Sequence, residues 1–199
     1  MMLNGDPIVV DTIADSLVDD GLTSLREAIL TANAQLGQDT VRFAHDLQGE
    51  IQLRMELVIS DDLIIQGPGA DVLTVSGQNR TRVFRIDANP AQPFGLPVDE
   101  AGNPLLIEVG IHHLTIADGL ATDAPGFPDT DPTGEPLFPN FAFGGGLFNR
   151  GAEVTLVGVH MEGNQAGGNA TDNEVAVLTI NGEGSGATYN QVTGEYSGP

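Results

Sequence analysis

A short apolar phrase closed by glycine recurs along this chain. It predicts a strand followed by a tight turn, because β-branched and apolar residues favour strands and glycine permits turn conformations. Repetition of such a unit is typical of a solenoid or β-helix, in which each unit packs on its neighbours. The five variants are Leu63-Ile-Ile-Gln-Gly67, Leu73-Thr-Val-Ser-Gly77, Leu114-Thr-Ile-Ala-Asp-Gly119, Val154-Thr-Leu-Val-Gly158 and Leu178-Thr-Ile-Asn-Gly182.

One stretch near the start predicts a helix over residues 23–36. Ser24 and Glu27 have the spacing of a capping box, in which each side chain satisfies a backbone donor at the helix start. Leu25, Ala28 and Ile29 fall on one face of that helix, which therefore needs an apolar partner. We expect this helix to cover the first coil of the β structure, where strand edges and apolar residues would otherwise be exposed.

Two long segments, 87–106 and 118–143, are rich in proline, glycine and acidic residues. Proline removes donors from a strand ladder, so neither segment can be a central strand. We predict that both are loops leaving the stack. Residues 183–199 are predicted to be a weak final coil or a flexible exit, and the whole of 1–199 a single domain.

The charge balance restricts the partners. The chain has seven arginines, no lysine and 28 acidic residues, for a formal net charge of −21. Nucleic-acid binding through phosphate contacts requires basic residues, so it is excluded as a function. No apolar stretch approaches the roughly 20 residues of a membrane span, so no direct membrane insertion is expected. An export signal is not visible at the N-terminus.

Two motifs resemble a known family. The segment Asp20-Gly-Leu-Thr-Ser-Leu-Arg-Glu-Ala-Ile29 resembles the N-terminal cap of bacterial surface and secreted right-handed parallel β-helix proteins, in which an "SLREAI"-type helix caps a pectin-lyase-like solenoid. Gly144-Gly-Gly-Leu-Phe-Asn149 resembles a coil of the same family. The resemblance implies an all-β, right-handed parallel β-helix with one capping helix, located outside the cell or on the bacterial cell surface.

The far end of the chain shows no comparable cap. An uncapped end of such a solenoid is a template for pairing with another chain. We therefore expect a non-enzymatic structural or adhesive protein that assembles with itself into homo-oligomers or filaments through an open C-terminal coil. Leu178, Thr179 and Ile180 are the predicted assembly residues. A surface glycan or another cell-surface protein is the alternative partner.

A glycan-active or glycan-binding β-helix is the competing functional hypothesis. Asp61 and Asp62 are adjacent carboxylates of the kind used in general acid–base catalysis on polysaccharides. The competing interpretation is a structural turn before the strand that begins at Leu63. His112 and His113 are also adjacent, but neighbouring side chains on a strand point to opposite faces and cannot readily share a metal ion.

A calcium-binding surface module is the third hypothesis. The pattern D-x-D-x-x-G at residues 129–134 partly matches the opening of a calcium loop, and calcium prefers several oxygen ligands. Pro132 and Thr133 depart from that pattern, and a solvated acidic loop explains the same residues. Calcium is the only cofactor predicted. The candidate ligands are Asp129, Asp131, Glu135, Asp118 and Asp123.

Overall fold

The computed structural model describes residues 5–90, 98–103, 105–122 and 144–166, together with the backbone of two short strands at 188–189 and 196–197. The elements in chain order are β1 (Ile8–Val10), α1 (Leu25–Asn33), β2 (Asp39–Phe43), β3 (Gly49–Gln52), β4 (Leu57–Ile59), β5 (Leu63–Gln66), β6 (Leu73–Ser76), β7 (Phe84–Asp87), β8 (Ile107–His112), β9 (Thr115–Ala117), β10 (Leu120–Ala121), β11 (Leu147–Arg150), β12 (Ala152–Val157), β13 (His160–Glu162), β14 (Gln165–Ala166), β15 (Thr188–Tyr189) and β16 (Tyr196–Ser197).

Most of these strands belong to three parallel sheets. The first sheet has the order β1-β2-β5-β8-β12, the second β3-β6-β9-β13 and the third β4-β7-β11. Strands β10 and β14 form a further parallel pair, whereas β15 and β16 pair antiparallel. The described part of the chain is therefore mostly parallel β-sheet with one helix, which agrees with the predicted all-β class.

From β2 to β13, consecutive strands visit the three sheets in a fixed order, apart from β10, which pairs with β14. Strands β2, β3 and β4 lie in the first, second and third sheet, and β5, β6 and β7 repeat that order. We call one such passage a circuit. Val41 pairs with Ile65 and Ile51 pairs with Val75, so a circuit without an insertion takes 24 residues. Strands β8, β9 and β11 form the next circuit, and β12 and β13 begin the last one described.

The phrases that recur in the sequence lie in two different sheets. Strands β5 and β12 carry two of them in the first sheet, and β6 and β9 carry two in the second. Their spacing is irregular because some neighbouring phrases lie in different sheets and because the longer circuits contain additional residues between their strands. The fifth phrase, which begins at Leu178, lies outside the described residues.

Inward-facing side chains form apolar ladders across successive circuits. Val41, Ile65 and Ile111 occupy equivalent positions in the first sheet and are completely buried. Leu57 and Phe84 do the same in the third sheet. Parallel strands lie only about 4.8 Å apart, so equivalent side chains of successive circuits touch. Burying such side chains is the main favourable contribution to folding.

Helix α1 covers the beginning of this core. Ser24 is its N-cap and forms a capping box with Glu27, and Ala34 is its C-cap. The helix is therefore shorter than residues 23–36, because Ser24 has an extended conformation and the chain leaves the helix after Asn33. Its apolar face packs against β1, β2 and β4. The buried residues of that face are Leu25, Ala28, Ile29 and Ala32.

The two predicted loops correspond only in part to the structure. Strand β7 ends at Asp87 and β8 begins at Ile107, so the segment predicted as the first loop lies between two strands. The second predicted loop, 118–143, contains β10, which pairs with β14. Residues 91–97, 104 and 123–143 lie outside the described residues.

Replacing Ser24 by alanine should lower the free energy of unfolding by about 1–2 kcal/mol. The buried hydroxyl group of Ser24 accepts a hydrogen bond from the Glu27 amide and donates one to the Ser16 carbonyl, and alanine would lose both. Chemical denaturation monitored by circular dichroism would measure the change. Thr31→Ala is the matched control, since Thr31 is exposed on the same helix. An equal loss in both variants would contradict a capping role for Ser24.

Candidate functional sites

The last described circuit forms a partly exposed apolar surface. In the second sheet, Ile51, Val75 and Ile116 form a ladder with at most 1% exposure, but Met161, the next residue of that ladder, is 39% exposed. In the first sheet, Leu156 follows Ile111 and is only partly buried. We call this surface the end face. Within the part of the chain that the structure describes, no further strand pairs with β12 or β13.

All of the residues that were predicted to mediate assembly, and all but one of those predicted to bind calcium, lie outside the described residues. These are Leu178, Thr179 and Ile180, and the candidate ligands Asp123, Asp129, Asp131 and Glu135.

Asp118, the remaining candidate calcium ligand, is in a turn. It has a left-handed backbone with φ 49°, and its amide donates to the Glu162 carbonyl of the next circuit. Across the described residues, no group of three or more His, Asp or Glu side chains is arranged to hold a metal ion. Because the predicted loop itself is not among those residues, calcium binding stays a prediction.

The Asp61–Asp62 pair makes backbone contacts at the start of β5. Asp61 Oδ1 accepts from the amide of Asp62, and Asp62 Oδ1 accepts from the amide of Glu108 at 2.8 Å. Both contacts are those of a turn that connects neighbouring circuits. Asp39 lies nearby, and its Oδ2 atom is buried without a hydrogen-bond partner in the described structure. Burial and repulsion from Asp61 raise the pKa of Asp39.

Replacing Asp39 by asparagine should stabilise the protein at pH 7. Because the folded-state pKa of Asp39 is raised, its ionisation costs stability as the pH rises above the unfolded-state value of about 3.9. The stability gained by the variant should therefore shrink as the pH falls through that value, because well below it aspartate is protonated in both states. Thermal unfolding of Asp39→Asn between pH 3 and pH 7 would measure this. Asp19→Asn makes the same chemical change at an exposed position and is the control for the loss of one negative charge.

A groove crosses the outer face of the first sheet. It has a volume of about 350 Å³ and is lined mainly by outward-facing residues of β5, β8 and β12. Glu108 and Glu153 are direct neighbours in register on β8 and β12. His112 lies on the other side of Gly110 along β8, and the ring centroids of His112 and His113 are 6.3 Å apart. We call this site the Glu108–His112 groove. The remaining lining residues are Gln38, Ile64, Val109 and Thr155.

A buried ionic network lies along the third sheet. Asp87 is completely buried, and its two carboxylate oxygens accept from Arg85 and Arg150, each at 2.6 Å. Glu56 Oε2 lies 2.6 Å from Arg82, and Glu56 Oε1 lies 3.4 Å from Arg85. Arginine is suited to such sites because its planar guanidinium can bind a carboxylate with two parallel hydrogen bonds.

The same network also contacts helix α1 and one end of each of the two segments that were predicted to be loops, 87–106 and 118–143. Arg150 donates to the carbonyl of Asn89, where the first insertion begins, and Arg82 donates to the carbonyl of Gly144, where the second one returns. Arg26 of α1 donates to the carbonyl of Glu56 at 3.0 Å. The network therefore connects the capping helix with successive circuits and fixes where the two insertions leave and rejoin the sheets.

Replacing Asp87 by asparagine should destabilise the fold by about 3–5 kcal/mol, because it removes one partner of a buried ion pair and leaves Arg85 and Arg150 without their shared carboxylate. Urea unfolding would measure the change. Asp46→Asn makes the same chemical change at an exposed turn and should alter stability by less than about 0.5 kcal/mol. Comparable stability of the two variants would show that the network contributes nothing to the fold.

Sequence reasoning did not find either of these two clusters. One available signal was the similarity between Ile107-Glu-Val109 and Ala152-Glu-Val154, which places two glutamates at equivalent positions of two strands. Another was the alternation of Arg85 and Asp87 on one strand, which puts both on the same face.

Comparison with known proteins found no matching family model, no matching curated protein and no matching solved structure. The nine residues of α1 are too few for a membrane span, and the described residues contain no other helix that would qualify.

Proposed function

We propose that this chain is a right-handed parallel β-helix with a non-enzymatic structural or adhesive role outside the cell or on a bacterial cell surface. The fixed order in which the chain visits three parallel sheets supports the β-helix. Right-handedness is supported by the strong preference of parallel crossover connections for that hand. The cap motif and the coil motif of the sequence support the location and the role by their resemblance to bacterial surface β-helices.

The partly exposed end face carries the functional proposal. At the other end of the sheets, α1 buries its apolar face on the first strands. At the end face, the side chain of Met161 is 39% exposed to solvent and that of Leu156 is only partly buried. Apolar side chains and strand edges together favour the addition of further strands. Such a surface is suited to stacking with a further coil, and we propose that coils of another chain continue the stack beyond those of this chain.

The sequence continues the ladder pattern beyond the end face. Leu178 and Ile180 follow Val154 and Leu156 by the same 24 residues that separate Val41 from Ile65. This 24-residue interval supports the proposal that the segment Leu178, Thr179 and Ile180 contacts the next chain in the stack. The assembly role of these residues remains a proposal.

Replacing Leu178 and Ile180 by prolines should abolish self-association, because proline cannot donate to a strand ladder. We expect the unmodified chain to form concentration-dependent oligomers or filaments, and the Leu178→Pro/Ile180→Pro variant to remain monomeric. Size-exclusion chromatography with light scattering, followed by electron microscopy, would measure both. Running each sample with and without calcium would test in parallel whether the acidic loops respond to that ion.

The matched control is Leu105→Pro/Leu106→Pro, which makes the same substitutions at two exposed positions outside the strands. It should assemble like the unmodified chain. A monomeric unmodified protein at every accessible concentration would contradict self-assembly. Equal loss of assembly in both proline variants would contradict the specific role of Leu178 and Ile180.

A further inference from the structure

We propose that the Glu108–His112 groove binds an organic cation, namely a guanidinium or primary ammonium group that carries a hydrogen-bond acceptor beside it. The groove is on the outer face of the first sheet, whereas the end face is formed by side chains of the inner ladders. Its volume of about 350 Å³ falls at the lower end of the range of small-molecule sites, roughly 300–1,000 Å³.

The space in the groove exists because residue 110 is glycine. Thr40, Ile64, Gly110 and Thr155 occupy one row of neighbouring positions across the sheet, and only Gly110 lacks a side chain. A Cβ atom at Gly110 would lie 3.0 Å from Nε2 of His112 and 3.6 Å from Cγ1 of Ile64. The absence of a side chain at Gly110 leaves space in the groove, and the imidazole of His112 reaches toward that space with its Nε2 atom.

The acidic wall of the groove favours a cation. Glu108 and Glu153 are opposite each other on strands separated by about 4.8 Å, and like charges in that arrangement repel. Within the described residues, neither carboxylate has an ion-pair partner, whereas Arg26, Arg82 and Arg85 are each paired with an acidic residue elsewhere. A bound cation would relieve the repulsion between the two glutamates.

The opposite wall supplies a hydrogen-bond donor. Nε2 of Gln66 lies 3.4 Å from Nδ1 of His112. In the tautomer whose Nδ1 accepts from this amide nitrogen, the proton of the neutral ring is on Nε2, the atom that lies over Gly110. Burial and the neighbouring His113 lower the pKa of His112, which favours this neutral form. The Nε2–H group can therefore donate to an acceptor on the ligand.

An organic cation fits this arrangement better than a metal ion. Among the described residues, no group of three or more His, Asp or Glu side chains is arranged to hold a metal ion. A guanidinium can bind carboxylates through several parallel hydrogen bonds, and its flat face suits the Ile64–Gly110 floor.

Titration of the isotope-labelled full chain with L-argininamide, followed by NMR, tests the proposal. We expect shifts of the amide signals of residues 108–112 and 153–155. We expect the Glu108→Gln/Glu153→Gln variant to weaken binding at least about tenfold, since both charged contacts are removed. Gly110→Val should weaken it to a similar extent without any change of charge, because the new side chain fills the floor.

The matched control is Asp46→Asn/Glu50→Gln, which removes two exposed acidic charges away from the groove. It should bind L-argininamide like the unmodified chain. Equal weakening in this control would show attraction by net charge alone and would overturn the proposal. The proposal would also be overturned if L-argininamide did not bind, or if it shifted only the signals of other residues. A third contrary result would be that calcium chloride shifts the signals of residues 108–112 and 153–155 and L-argininamide does not. The end-face prolines should leave binding unchanged, so failure here is distinguishable from failure of the stacking proposal.

Discussion

The stacking of inward apolar side chains in parallel register is the interaction on which the rest of this structure depends. Val41, Ile65 and Ile111 touch their equivalents in neighbouring circuits, and a shift of one residue would turn those side chains to the outer face. Register on the inner face also fixes register on the outer face. The opposition of Glu108 and Glu153 is therefore a direct result of how Val109 and Val154 pack between the same two strands.

Polar contacts have a different function in this molecule. Desolvation of the charged groups offsets much of the attraction within the Asp87 network, so the intact network adds little net stability. Removing one partner is nevertheless costly, because it leaves a buried charge unpaired. The geometry of the network links β4, β7 and β11 and holds Asn89 and Gly144 at the ends of the two insertions.

The two ends of the described sheets differ in a way that bears on function. Helix α1 satisfies its own first amides through Ser24 and buries its apolar face on the first circuit. The end face combines partly exposed apolar side chains with β12 and β13, the last strands described in their sheets. This asymmetry gives any stacking a direction. Strand β12 contributes to two surfaces, since Glu153 and Thr155 line the outer groove and Leu156 belongs to the inner ladder.

The sequence by itself predicted the features that depend on nearby residues. The capping box at Ser24 and Glu27, the apolar helix face and the short strands with glycine turns are local patterns, and their energies are determined within a few residues. The partners of each strand could not be predicted, because additional residues in some circuits hide the 24-residue interval and the recurring phrases belong to two different sheets. Only the tertiary structure brought Asp87 next to Arg150 and Glu108 next to Glu153. Such contacts join residues more than 40 positions apart, and packing of the whole core decides them.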